Sequence, residues 1–129
     1  MATMQVEVVS PQQRLYSGEA TEVYARSLDG DLGILPNHQP TLLALDIAPV
    51  KVVTADGDEV TYAVHNGFLE MSENRLTVLA DAAERPEEID TDRAERARHR
   101  AEEQLQQGSE DEEVQAALAR AELRLELGG

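Results

Sequence analysis

No cysteine occurs in the 129 residues, which excludes a disulfide framework and thiol chemistry and agrees with a reducing compartment. Basic residues are scarce. There are 11, only Lys51 among them a lysine, against 26 acidic residues, for a formal net charge of −15. The single lysine reads as compositional bias and carries no functional meaning. A nucleic-acid backbone needs a basic footprint, so the composition argues against direct nucleic-acid binding, and the charge fits an acidic, soluble surface. No apolar run approaches the roughly 20 residues of a membrane-spanning helix. Met1 to Gln5 offers neither the basic segment nor the apolar core of an export signal. If the protein works at a membrane, another subunit must hold it there. Catalysis finds little support: there is no nucleophile-elbow serine and no Walker-type phosphate loop. His38, His65 and His99 lie far apart, and their spacing points to no metal site.

What the chain does have is a change of character near residue 85. Up to about Asp81 it reads as short strands with turn signals between them. Met4, Val6 and Val8 alternate with Gln5 and Glu7; Ala20 to Ser27 forms the next run. Thr41 to Ala48 is apolar enough for a strand buried on both faces. Val50–Thr54 and Glu59–Val64 flank Asp56-Gly57, a hairpin signal. Phe68–Met71 and Arg75–Ala80 flank Ser72-Glu73-Asn74, a second hairpin. Between two such runs His65 reads as a structural turn residue. Many short strands predict a sandwich or barrel.

Ala82 to Pro86 reads as a linker. Beyond it alanine, glutamate, arginine and leucine dominate, all good helix formers. Ala94, Ala97, Ala101 and Leu105 make one helical stripe, with Asp90, Thr91 and Asp92 as candidate N-caps. His99 sits beside Arg98 and Arg100 and reads as solvated. Gly108 is the expected residue after the C-cap, and Ser109 with Glu112 a second capping box. Val114, Ala117, Leu118, Ala121 and Leu125 make the facing stripe. Two helices on a short connection predict an antiparallel hairpin, and alanine-rich faces bury little apolar area. The arm should therefore be marginally stable and movable. The expected architecture is α+β: a two-sheet β-sandwich over residues 1–84, then a two-helix hairpin over residues 85–129.

The densest local signal is Gly30-Asp31-Leu32-Gly33-Ile34-Leu35-Pro36-Asn37-His38-Gln39-Pro40. Two glycines and two prolines predict a rigid, shaped loop held down by Leu32, Ile34 and Leu35, with Asp31 and His38 near its rim. Neither Pro36 nor Pro40 suits a central strand.

This stretch closely resembles the hallmark loop of the epsilon subunit of F-type ATP synthases, Gly-acidic-x-Gly-Ile-x-Pro-x-His-x-Pro. Tyr62 to Met71 and Asn74 to Asp81 agree with the same family. Ile89-Asp90-Thr91-Asp92-Arg93-Ala94 resembles the nucleotide-binding signature of some bacterial members. The three blocks fit in order and spacing, and the likeness covers nearly the whole chain. It implies a non-catalytic central-stalk subunit on the cytoplasmic face of the cell membrane, held there indirectly by the complex. The implied partners are the gamma subunit, the ring of c subunits and the catalytic alpha/beta head. Asp31 and His38 then fall at the c-ring and gamma interface. No cofactor is required, and the implied regulatory ligand is ATP with magnesium on the helical hairpin. By position in the family pattern its candidate ligands are Glu84, Asp90, Arg93, Arg100, Arg120 and Arg124.

From the residues themselves, Asp90, Arg93 and Arg100 have spacings that lie close to one helical face, and arginine forks suit phosphate. An amphipathic helix with ordinary salt bridges has the same spacing. Two departures from the family matter. The second helix is short, and it sets only Arg120 and Arg124 against Glu110 to Glu113, Glu122 and Glu126. In the family, inhibition is linked to a basic helix meeting an acidic region of the head, and these charges oppose that contact. The rival reading is a free-standing sandwich that binds a small ligand, with a regulatory helical tail; an enzyme on a small β scaffold ranks third.

Overall fold

In the computed structural model, which describes residues 2–128, apolar alternation shapes the first unit strand by strand. β1 (Met4–Val9) buries Met4, Val6 and Val8, as its pattern predicts. β2 (Arg14–Ser27), β3 (Gly30–Ile34), β4 (Thr41–Thr54), β5 (Glu59–Ser72), β6 (Arg75–Ala80) and β7 (Ala83–Glu84) follow. Neighbours run β1-β6-β5-β4-β2-β3; β1 also pairs with β2, so the hydrogen-bonded ladder closes on itself, and β7 adds to β5. β1 and β6 are parallel, the other pairs antiparallel. The three strands of 14 residues, β2, β4 and β5, each pair with at least two neighbours. The first half of β2 pairs with β1 and the second half with β3 and β4, across register shifts. Val6, Val23, Val52, Leu69, Leu76 and Val78 are among the fully buried side chains of the core.

Several boundaries differ from the sequence reading. β2 begins at Arg14 rather than Ala20; Ser17-Gly18 resembles a turn, yet Gly18 lies within the strand beside the Tyr16 ring. Thr41–Ala48 and Val50–Thr54 are one strand that continues through Pro49. The β2–β4 ladder jumps from Tyr24↔Lys51 to Ser27↔Leu45, so the missing Pro49 amide falls where β2 offers no partner. Thr41–Ala48 is not buried on both faces, since Leu42 points outward. β5 runs unbroken through Asn66 and Gly67, both at positive φ (63° and 130°). A side chain at Gly67 would strike the backbone of Leu79 and Ala80, so only glycine lets β6 approach there. His65 is therefore a buried strand residue rather than a turn residue. Both hairpins are present; Glu73 and Asn74 form the second turn at φ 51° and 59° without any glycine.

The second unit begins at Pro86. The expected linker is partly ordered: Ala83 and Glu84 are β7, and the Arg85 guanidinium donates to Gln13 Oε1 (3.0 Å) and the Leu15 carbonyl (3.1 Å). A 3₁₀ turn, Pro86–Glu88, leads to α1 (Thr91–Gln106) and α2 (Glu112–Gly128). Of the three candidate caps, Asp90 caps α1, accepting from Arg93 N at 3.0 Å. Gly108, at φ 90°, sits just beyond the C-cap Gln107. α2 is capped by Asp111, which accepts from Glu113 N at 2.9 Å, while Ser109 supports the turn before it. The end of α2 lies against the start of α1, where Gly128 abuts Ile89 and Thr91, so the helices are antiparallel. Ala94, Ala101 and Ala121 are buried as the stripes predict; Leu123, off the predicted stripe, is buried too.

Candidate functional site

The first candidate is the loop that leaves β3. Gly30–Ile34 is strand, pairing with Val23–Ser27, so only Leu35 to Pro40 is loop. Ile34 anchors it by full burial, whereas Leu35, expected to hold it down, is exposed. Asn37 is left-handed at φ 65°, and its amide donates to Asn74 Oδ1 at 2.8 Å. His38 N donates to the Leu35 carbonyl, and His38 Nδ1 lies 2.9 Å from the Gln39 carbonyl. Across the same end of the sandwich, Asn74 Nδ2 donates to the Thr3 carbonyl (2.9 Å) and Thr3 Oγ1 to Glu19 Oε1 (2.7 Å). The Glu19 carbonyl accepts from Tyr16 OH (2.8 Å) and Ala55 N (3.2 Å). Burial, then the Asp56 and Glu19 carboxylates, hold the Tyr16 phenol above its ordinary range.

Asp31 and His38 are not brought together. Asp31 sits beside the β2–β3 turn, its carboxylate 3.0 Å from Arg26 Nε in an exposed ion pair. His38 lies beyond the other end of β3. At about 3.3 Å per residue, the strand from Asp31 to Ile34 alone spans about 10 Å.

A second surface was missed by the sequence reading. Leu42 (67% exposed), Phe68 (52%) and Leu79 (50%) stand on one outer face. The registers Ala44↔Phe68 and Phe68↔Leu79 place Phe68 between Ala44 and Leu79, with Leu42 diagonal to it. Leu28 (65%), whose amide donates to the Ala44 carbonyl, adjoins them. Clustered exposed apolar side chains mark an interaction face. The signal was available: Phe68 and Leu79 occupy the positions of their alternating strands that should be polar.

The nucleotide candidates are dispersed in their engagements. Glu84 Oε1 lies 3.0 Å from Nε2 of the buried His65. One oxygen of Asp90 is used for capping. Arg93 and Arg100 are exposed on one flank of α1, whose intervening Arg98 pairs with Glu95 and Glu102. Arg120 pairs with Glu113, and Arg124 is partly buried on α2. His99, expected to be solvated, is exposed and lies 3.1 Å from Glu95. Among the described residues no helix is long and apolar enough to cross a membrane.

Known proteins resemble the chain along its whole length. The model of the ATP synthase delta/epsilon chain β-sandwich domain matches residues 3–86, and that of the long α-helix domain of the same chains residues 87–128. The ATP synthase epsilon chain of Brevibacillus brevis is 48% identical over 105 residues, 81% of this chain and 80% of its own. That of Streptomyces griseus is 42% identical over 124 residues, 96% of this chain and 94% of its own. Among solved structures, a chain of the Tetrahymena thermophila mitochondrial ATP synthase central stalk and c-ring superposes with a TM-score of 0.67. It shares 14% identity and covers 98% of this chain and 96% of its own, a likeness of fold.

Proposed function

The chain belongs to the delta/epsilon family of ATP synthase subunits, as an epsilon chain of the F-type enzyme, and from that premise we propose that it joins gamma to the c ring and turns with them. It is a non-catalytic subunit of the central stalk. In that position it couples ion flow through the membrane sector to ATP synthesis in the alpha/beta head, from the cytoplasmic face of the membrane. The observation that carries this reading is the outer face of Leu42, Phe68 and Leu79, which a chain working alone would have no reason to leave uncovered. We assign that face to gamma, and both Asp31, beside the β2–β3 turn, and the loop bearing His38 to the c ring and the foot of gamma. A free-standing ligand-binding sandwich would instead leave the chain alone when native membranes are solubilised; recovery of gamma and c subunits with it separates the two.

Asp31 supplies a specific expectation. Its ion pair with Arg26 is exposed on both sides, so it contributes at most about 1 kcal/mol to folding. Asp31→Arg should leave the melting temperature within a few degrees yet lower ATP-driven proton pumping in reconstituted vesicles severalfold. Unchanged pumping with the variant fully incorporated removes Asp31 from the interface.

Regulatory ATP on the hairpin is a second reading, favoured by Arg93 and Arg100 exposed on one flank above the Asp90 cap. Against it stand the partners already held by Glu84 and Arg120, and 14 acidic against 7 basic residues from Ala82 onward. Magnesium would soften that repulsion. Calorimetric titration of the chain with magnesium-ATP is expected to show millimolar binding, weakened about tenfold by Arg93→Ala, the loss of one charged hydrogen-bonding group. No heat at millimolar ATP makes the signature a helix start only. Equal binding by Arg93→Ala puts the site elsewhere.

A further inference from the structure

We infer that Asn74 is a positioning residue that holds the His38 loop in the conformation its partner meets; this rests on the reading of that loop as partner-facing. Asn74 lies outside the loop, in the β5–β6 turn, 37 residues further along the chain. Its carboxamide does two opposite things at once. Oδ1 accepts from Asn37 N at 2.8 Å, and Nδ2 donates to the Thr3 carbonyl at 2.9 Å. Its own carbonyl accepts from Gln5 N at 3.2 Å. One side chain thus ties the loop, the β5–β6 turn and the segment entering β1. Thr3 carries the tie on to Glu19, and the Glu19 carbonyl carries it to the β4–β5 turn at Ala55.

The residue type follows from these demands. A primary amide presents its acceptor and its donor on two separate atoms of one short side chain; a hydroxyl offers both from a single atom, and an ionised aspartate accepts only. The position also requires φ 59°, which asparagine tolerates better than most residues. The loop needs an external tie. Asn37 at φ 65° is in a sparsely populated conformation for a side chain-bearing residue, and its amide reaches across to Asn74. Without that bond the Leu35–Pro40 segment samples other conformations, and a partner must select the competent one from a smaller population.

The test uses the full chain and two readouts. Asn74→Gly keeps the left-handed backbone and removes only the carboxamide. By amide hydrogen exchange, Asn37 is expected to exchange about tenfold faster in this variant, with the melting temperature kept within a few degrees. Binding to a complex of gamma and the c ring is expected to weaken about tenfold. Asn74→Asp, which keeps the acceptor and loses the donor, should retain protection of Asn37 while loosening Thr3 and its neighbours. If Asn37 exchange is unchanged in Asn74→Gly, there is no clasp and the inference falls. If exchange quickens while binding holds, and His38→Ala still weakens binding, the clasp does not serve docking. If His38→Ala also binds normally, the loop is not partner-facing, and the underlying reading is the one that fails.

Discussion

Phe68→Glu is expected to separate the chain from gamma, lowering affinity about a hundredfold or more, with little cost to the fold. Phe68 is the centre of the outer face: Ala44 flanks it on β4, Leu79 on β6, and Leu42 lies diagonally. A half-exposed aromatic in the middle of an apolar patch is the type of residue that dominates an interface once covered, commonly about 2 kcal/mol or more on truncation. A carboxylate there adds the cost of burying an unpaired charge, and each 1.4 kcal/mol is about tenfold in affinity. In the free chain the same position already faces water, so unfolding should shift by only about 0.5 kcal/mol, as for an ordinary surface substitution. Surface-immobilised gamma titrated with wild type and variant measures the first quantity, and thermal melting the second. Equal affinity for the two chains would mean that gamma docks on another face.

Gly67→Ala is expected to have the largest effect on stability, about 3 kcal/mol or more. Two penalties combine at this position. Its φ of 130° lies in a region that side chains scarcely visit. The new methyl would also meet Ala80 Cα at 2.8 Å, and backbone in a paired strand cannot move aside as a side chain tip can. Relief would require β6 to part from β5, and β6 also carries the pairing with β1 that closes the ladder. Gly57→Ala is the control: its φ is also positive, at 90°, but the space around it is open, so the strain alone should cost about 1 kcal/mol. Urea unfolding of the two variants compares them directly. Similar midpoints would show that close approach of β6 is not what position 67 protects.

The layer order of this protein was legible because alternation and turn chemistry point the same way. Met4, Val6 and Val8 lie inside, Asp56-Gly57 turns, and the helical stripes meet through alanine. Strand boundaries were not, for a physical reason. Pro49, Gly18 and Asn66-Gly67 are local breakers, and each sits inside a strand where the surrounding ladder removes the objection: a gap opposite Pro49, a tyrosine ring beside Gly18, a close neighbouring strand at Gly67. Such context is tertiary and leaves no local mark. The docking face was hidden differently. Phe68 and Leu79 fall at the outward positions of their alternating strands, a mark the sequence carries, but only the register gathers them with Leu42 into one patch. Asn74 was visible as a turn residue, but its tie to Asn37 joins positions that no spacing rule connects.

A rotor subunit must turn against the alpha/beta head. Because it has no cysteine, Glu59→Cys gives a unique thiol on an exposed side chain of β5, nine residues from Phe68. A probe attached there, in an ATP synthase complex immobilised through its alpha/beta head, is followed while magnesium-ATP is supplied. The probe is expected to rotate in one direction whenever the complex hydrolyses ATP. A probe that stays still on complexes that are hydrolysing ATP would contradict it.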